Sequence, residues 1–272
     1  MRAARAPIMG FVTFALAACG AQETDRAQNF ALPTGLREVS GLAAAGPDRL
    51  FAHDDEFAII HEIDATDGRV VRSFALGSPT IEGDFEGIAI SADGLLYLVT
   101  SDGLIYAFEA GEHRKRVAYR AHDSGIGPRC EIEGLSRGPE DDHLLLLCKR
   151  LRVGENSPRL EIYRWKIGTE HADLDPWLEI PLADFLDVGE RGEFAPSGLD
   201  WDEERKRLFV VSGRSRLLVE IDDKGTVLST RPLNPRLHRQ AEGIAILPGC
   251  KLALADEGTE TAKARLAIYP CP

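Results

Sequence analysis

The 272 residues predict an all-β fold, a five-bladed β-propeller closed by an N-terminal strand that joins the last blade, on three observations. First, a short motif recurs five times: an acidic or hydroxyl residue, a glycine, then an alternating apolar run. It reads "EVSGLAAAGPDRLFAH" from 38, "DFEGIAISADGLLYLV" from 84, "EIEGLSRGPEDDHLLLLC" from 131, "APSGLDWDEERKRLFVV" from 195 and "QAEGIAILPGCKLALA" from 240. Its glycines, Gly41, Gly87, Gly134, Gly198 and Gly243, lie 46, 47, 64 and 45 residues apart, a near-constant period of propeller-blade size. Second, every unit holds several short strands separated by turns. Third, the last unit stops after three strands, at "AIYPCP", while "NFALPTG", ahead of the first unit, supplies a fourth. An open sandwich leaves the five similar starts unexplained.

Within each unit the motif's apolar stretch is the first strand. After a Gly-, Pro- or Asp-containing turn comes a second run, such as "LFAH", "LYLV" or "LFVV". The third runs are "AIIHEID", "LIYAFEA", "LEIYRWKI", "LLVEIDD" and "ARLAIYP". Fourth strands follow tight turns, as in "DGRVVRSFAL" after "DATDG" and "KGTVLSTRPL" after "DDKG". "DATDG" lacks the downstream carboxylate of an EF-hand loop. The 64-residue unit carries insertions, placed at "LRVGENSPRL" and between "PLADF" and "EFAPSGL". Closing the ring through the N-terminal strand pairs both ends of the sheet and leaves few open edges.

The N-terminus reads as an export signal. Arg2 and Arg5 precede a short apolar run, "IMGFVTFALAA", too short and wrongly flanked for a membrane span. It ends in "LAAC", residues 16–19, which resembles the lipobox of bacterial lipoproteins; that resemblance implies acylation of Cys19 and a new N-terminus there. Gly20, where an Asp would stand for inner-membrane retention, implies an outer-membrane lipoprotein facing the periplasm or the cell surface. The expected organisation is a signal peptide at 1–18, a lipidated tether at 19–29 and the propeller at 30–272. Loss of Arg2 and Arg5 takes the net charge from −12 to −14. So acidic a chain excludes nucleic acid as a partner and disfavours direct adhesion to anionic lipid.

Besides Cys19 there are Cys130, Cys148, Cys250 and Cys271, an even number in an exported chain, which predicts two disulfides. Three pairings are open to the sequence alone. The blade pattern places Cys130 and Cys148 on adjacent first and second strands, and Cys250 and Cys271 at the second and third strands of the last blade. The expected pairs are therefore 130–148 and 250–271. There is no Cys/His spacing of zinc type.

The stretches "SGLAA…LFAHDDEFAIIHEID…GRVVRSFAL", "DFEGIAI", "PSGLDWDEERKRLFVVSGRSRLLVEIDDKGTVLST" and "QAEGIAI" resemble the SdiA-regulated family of exported bacterial β-propellers, from about residue 30 to 270. The resemblance implies five blades and a calcium ion at a family-typical site, with a poorly defined biochemical role. This chain departs from the pattern at "LALADEGTETAKARL", where members tend to have a Ser-Glu-Pro-Asn run. Asp256 and Glu257 keep the acidity and lose the Ser and the Asn amide.

The residue ahead of each motif glycine starts the innermost strand beside the central channel. It is Ser40, Glu86, Glu133, Ser197 and Glu242 in turn. Three carboxylates ~6 Å apart repel by about 3 kcal/mol per charged pair at an effective dielectric of ~20. They call for a cation, or for shared protons and raised pKa values. Calcium suits an all-oxygen set, so Glu86, Glu133 and Glu242 are the expected metal ligands. The competing reading makes each Glu a cap on the strand's backbone amides. On the same face, His53, Asp54, Asp55, Lys149, Arg150, Arg214, Asp256 and Glu257 are candidate ligand contacts, acidic on one side and basic on the other, suited to a zwitterionic or phosphorylated ligand.

Two functions fit. The first is a lipid-anchored module that binds calcium at the channel mouth and takes a small ligand or a periplasmic protein, as a monomer. The alternative is a calcium-dependent hydrolase of a lactone or phosphate ester, of the phytase or esterase propeller type, with His53 or His238 as base. No nucleophile elbow, phosphate loop or metallopeptidase helix occurs, and no channel Asn, which weighs towards binding.

Overall fold

The computed structural model describes residues 27–152, 158–187 and 194–270. The segment expected to be a signal peptide, Cys19, most of the expected tether and Cys271 lie outside the described residues. The first described strand is β1 (Gln28–Ala31), two residues before the expected start of the propeller. Blade one holds β2 (Val39–Gly46), β3 (Arg49–Asp54), β4 (Ile59–Asp64) and β5 (Val70–Leu76). Blade two holds β6 (Phe85–Ile90), β7 (Leu96–Thr100), β8 (Leu104–Phe108) and, after a detour through β9 (Arg116–Val117), β10 (Tyr119–Asp123). Blade three comprises β11 (Cys130–Arg137), β12 (His143–Leu151), β13 (Arg159–Lys166) and β14 (Leu178–Pro181). Blade four comprises β15 (Gly198–Asp202), β16 (Arg207–Ser212), β17 (Leu217–Asp222) and β18 (Val227–Pro232). Blade five has β19 (Ala241–Leu247), β20 (Lys251–Asp256) and β21 (Arg265–Tyr269), completed by β1.

The chain is therefore a five-bladed β-propeller, and β1 closes it as the sequence predicts. Gln28, Asn29, Phe30 and Ala31 pair antiparallel with Ile268, Ala267, Leu266 and Arg265. The two insertions of the long unit fall between β12 and β13 and between β14 and β15.

Both faces of each blade are buried against neighbours, which explains why its second strand is almost continuously apolar. In β12, Leu144 and Leu146 join the core with Tyr97 and Val99 of blade two. The alternate residues Leu145 and Leu147 join the core with Leu199, Leu208 and Val210 of blade four. In β16 the pattern repeats: Phe209 and Val211 turn to Ile244 and Leu254 of blade five. One core fills each of the five gaps between blades, so period-2 side-chain alternation is what stacks the ring.

The turns behave as their residues dictate. Asp64 accepts the backbone N–H of Thr66 at 3.0 Å, and Asp222 accepts those of Lys224 and Thr226 at 2.9 and 2.7 Å. Each carboxylate stands in for a backbone acceptor in the hairpin. A register shift precedes each turn, at Glu62/Ile63 and Glu220/Ile221, so the two blades share a bulge as well as a turn.

One feature carried no sequence signal. β9 leaves its own blade and runs parallel to β5, pairing Ala75 with Arg116 and Leu76 with Val117. Arg72 Nη1 donates to Gly111 O at 2.7 Å and Arg116 Nη1 to Gly77 O at 2.9 Å, fastening blade two across the outer edge of blade one. The cysteines agree with the blade pattern. Cys130 and Cys148 form a disulfide with Cα atoms 5.7 Å apart, across the register shifts that join β11 to β12. Cys250 is disulfide-bonded too; its expected partner, Cys271, lies outside the described residues.

A glutamate-lined mouth above a glycine collar

The five motif glycines explain how the innermost strands meet at the axis. A Cβ on Gly87 would stand 2.4 Å from Leu135 N, and one on Gly198 would stand 2.3 Å from Glu242 O. A Cβ on Gly41 would reach Gly87 Cα at 3.2 Å. Backbone touches backbone around the ring, and only a residue without Cβ lets it. The space left there is about 10 Å³, lined by Ser40, Glu86, Glu242 and the glycines Gly41, Gly87, Gly134 and Gly198, room for a single water at most. The glycines thus form a collar that nearly shuts the channel.

Directly before the collar sit the three predicted carboxylates, and the structure brings them together electrically. Burial raises Glu86 to about 9, with further pushes from Glu133 and Asp84. Burial raises Glu242 to about 8, followed by Glu257 and Glu133. Glu133 is raised as well, by burial first, although the Lys149 ammonium pulls the other way. Lys149 Nζ lies 2.5 Å from Glu133 Oε1 and 3.9 Å from Glu131 Oε1. The other oxygen, Glu133 Oε2, is buried and has no hydrogen-bond partner among the described residues. Ser40 donates its hydroxyl to Glu86 Oε2 at 3.2 Å. Ser197, in the matching place of blade four, instead donates to Ala241 O at 2.7 Å and accepts Gly213 N–H at 3.0 Å. Two of the five positions are thus hydroxyls with different tasks, one steadying a carboxylate and one bridging backbones.

The other expected contacts separate into those at this mouth and those turned away from it. Glu257 faces the mouth, accepts Gln240 Nε2 and is raised to about 7 by burial, then by Asp55, Glu38 and Glu133. Asp55 has one buried oxygen, Oδ1, without a partner, and Asp54 Oδ1 accepts Phe57 N–H at 3.1 Å. Burial raises both aspartates. Arg150 is exposed and pairs with Glu131 at 2.5 Å, and Arg214 is exposed. Asp256 is turned inward: its Oδ2 lies 2.6 Å from His238 Nδ1, and His238 Nε2 lies 2.6 Å from the Tyr269 hydroxyl. His53 is wholly buried too, against Gly41, with Nδ1 2.9 Å from Asp54 O; burial pulls it down to about 4. His53 and His238, offered as alternative bases for a hydrolase, are thus both fully covered, His53 in blade one and His238 against Asp256 and Tyr269 of blade five.

The donor set can be weighed against calcium. It consists of hard oxygens, one of them a buried acceptor left unsatisfied, and its three carboxylates face one ammonium. A divalent cation would balance the remaining charge. Among the described residues, no three His, Cys, Asp or Glu side chains stand ready as a metal-coordinating group, and Lys149 competes for Glu133. In chemistry and charge the mouth fits a hard divalent ion, and the carboxylates would have to draw closer to hold it.

Residues 192–266, which carry "PSGLDWDEERKRLFVV" and "QAEGIAI", match the SdiA-regulated family model. No curated protein matches the chain. Among solved structures, a glutaminyl cyclase from Myxococcus xanthus aligns at 14% identity and TM-score 0.57, covering 89% of this chain and 93% of that one. A luciferin-regenerating enzyme aligns at 10% identity and TM-score 0.54, covering 90% and 97%. A PQQ-bound aldose sugar dehydrogenase from Streptomyces coelicolor aligns at 16% identity and TM-score 0.51, covering 90% and 98%. Identities this low speak for a shared propeller fold and leave function to the site itself.

Proposed function

From the premise of a β-propeller of the SdiA-regulated family, we propose that this protein is an exported, lipid-anchored module whose glutamate mouth binds calcium. The same face then receives a small ligand or a periplasmic partner. The observation that carries the reading is Glu133 Oε2, a buried acceptor without a partner amid carboxylates pushed far above their usual range. Glu86, Glu133 and Glu242 would hold the ion, with the Ser40 hydroxyl beside them. Bound there, calcium supplies two positive charges at the point where blades two, three and five converge. Glu257 and Asp55 then face the ligand side, flanked by Lys149 and Arg150. Binding is favoured over the hydrolase reading because His53 and His238, its two bases, are each 0% exposed. The anchor rests on the "LAAC" sequence and Cys19.

The test is a thermal melt in excess EDTA and in millimolar calcium. At a hundredfold excess over the dissociation constant, linkage adds about 2.7 kcal/mol. A rise in melting temperature that Glu133→Gln removes supports the site, and an unchanged melt overturns it. Labelling with palmitate in cells, lost in Cys19→Ser, tests the anchor separately.

A further inference from the structure

Beyond the glycine collar, at the opposite end of the innermost strands, a second opening forms a cup of about 400 Å³. It is forty times the space at the collar and within the range of small-molecule sites. One side of its wall is apolar, from Ala43, Ile88, Ala89, Ile90, Ile246 and Leu247, drawn from blades one, two and five, and the other is polar, from blades three and four. Ile90 and Ile246 remain only partly covered by the protein, so apolar surface is left facing the cup. Asp200, from blade four, is the carboxylate set into this wall. Its Oδ1 accepts the Ser136 hydroxyl at 2.8 Å and its Oδ2 accepts Ile246 N–H at 2.7 Å, so blades three and five fix its orientation.

Of the other acids around the cup, Asp202 pairs with Arg205 at 2.9 Å and Glu203 with Lys206, while Glu204 is exposed at the rim. Arg137, the cup's own cation, lies 3.9 Å from Glu203. Asp200 has no ion pair among the described residues, and burial raises it to about 6. The Trp201 backbone N–H is a third neutral donor, and about four lone-pair sites leave the carboxylate with acceptor capacity to spare. We propose that this cup is a second binding site, for a small amphipathic organic ammonium ion whose cation rests on Asp200 and whose carbon chain covers Ile90 and Ile246. The Arg137 guanidinium acts on Asp200 only from beyond salt-bridge distance, so an ammonium gives it a direct counter-charge, while an anion of the same length meets a carboxylate and a neutral alcohol gains no charge-assisted bond.

Calorimetric titration of the purified protein with n-hexylammonium, n-hexanol and hexanoate tests this. The expected result is one site for hexylammonium and none for hexanoate. Asp200→Asn weakens binding roughly tenfold or more, the scale of a hydrogen bond to a charged group. Ala92→Trp, at an exposed position on the cup's rim, blocks the opening without touching the Asp200 bonds, and it decides the matter if Asp200→Asn fails to fold. Glu133→Gln leaves hexylammonium binding unchanged, which separates this cup from the calcium mouth. Absent binding, equal binding of hexanoate, insensitivity to both cup variants, or loss in Glu133→Gln alone would each overturn the proposal.

Discussion

The Lys149 ammonium sits 2.5 Å from Glu133 Oε1 while the second oxygen of the same carboxylate is buried without a partner. The mouth thus carries one built-in cation against three acids, and the balance between them sets both its stability and its affinity. Lys149→Met leaves Glu133 uncompensated. Because the lysine side chain is 36% exposed, the cost is below that of a fully buried pair, about 1–2 kcal/mol in urea unfolding at neutral pH without calcium. Removing the competing charge also tightens calcium binding, so Lys149→Met should be less stable in EDTA and more responsive to calcium than the parent.

Acid should stabilise the calcium-free protein. An unfolded glutamate titrates near 4.5, whereas the folded mouth holds Glu86 at about 9 and Glu242 at about 8. Across that interval the folded state binds more protons than the unfolded one. The contribution is full below about pH 4.5 and drains as pH rises through 8 to 9. Melting temperatures in EDTA should fall from pH 5 to pH 9, and calcium should flatten the slope. A flat or rising profile in EDTA contradicts the shared-proton account of the mouth.

The glycine collar tolerates no side chain. Gly87→Ala places a methyl 2.4 Å from Leu135 N and 2.8 Å from Gly134 C, both backbone atoms that cannot swing aside. It should cost about 3 kcal/mol or more. Gly94→Ala is the control: its φ is +87° and a Cβ there meets nothing within 4 Å. Only the backbone penalty applies, about 1–2 kcal/mol. Equal losses in the two variants would mean that the strands can part at the axis.

The disulfide of blade three closes a short loop, with 18 residues of sequence separation. Breaking it in a Cys130→Ala, Cys148→Ala double variant should cost about 3 kcal/mol. Both sulfurs are buried, so mild reductant should leave the native protein oxidised until it unfolds. Thiol labelling along a denaturant series checks both statements.

The sequence told most where one residue type did one local job many times over. The motif glycines, the alternation in "HLLLLC" and the Asp-capped turns each follow from geometry within a few residues, and five copies reinforce one another. Glu86, Glu133 and Glu242 were legible as a set for the same reason. Lys149 was legible as a mouth residue but not as the partner of Glu133, since that pairing depends on the reach of a side chain across two strands. The inward turn of Asp256 onto His238 was hidden because "ADEG" reads as a loop, and His53 because an imidazole suits core or surface alike. β9 offers only "RV", too short to show a period. The Asp200 cup gathers the far ends of strands from all five blades, so no single stretch of sequence announces it.

Of the described strands, the one that closes the ring is the first to be made and the last to find its mate. Until Arg265–Tyr269 emerges, Gln28–Ala31 has nowhere to pair, and blade five lacks an outer strand. Four residue pairs and the bond from Leu32 N to Ala264 O then join β1 to the last blade, with no cysteine in β1 to lock them. So long-range a contact forms slowly. At high concentration a second molecule's β1 would compete for the same edge, and size-exclusion chromatography across a concentration series would show any such exchange as a dimer.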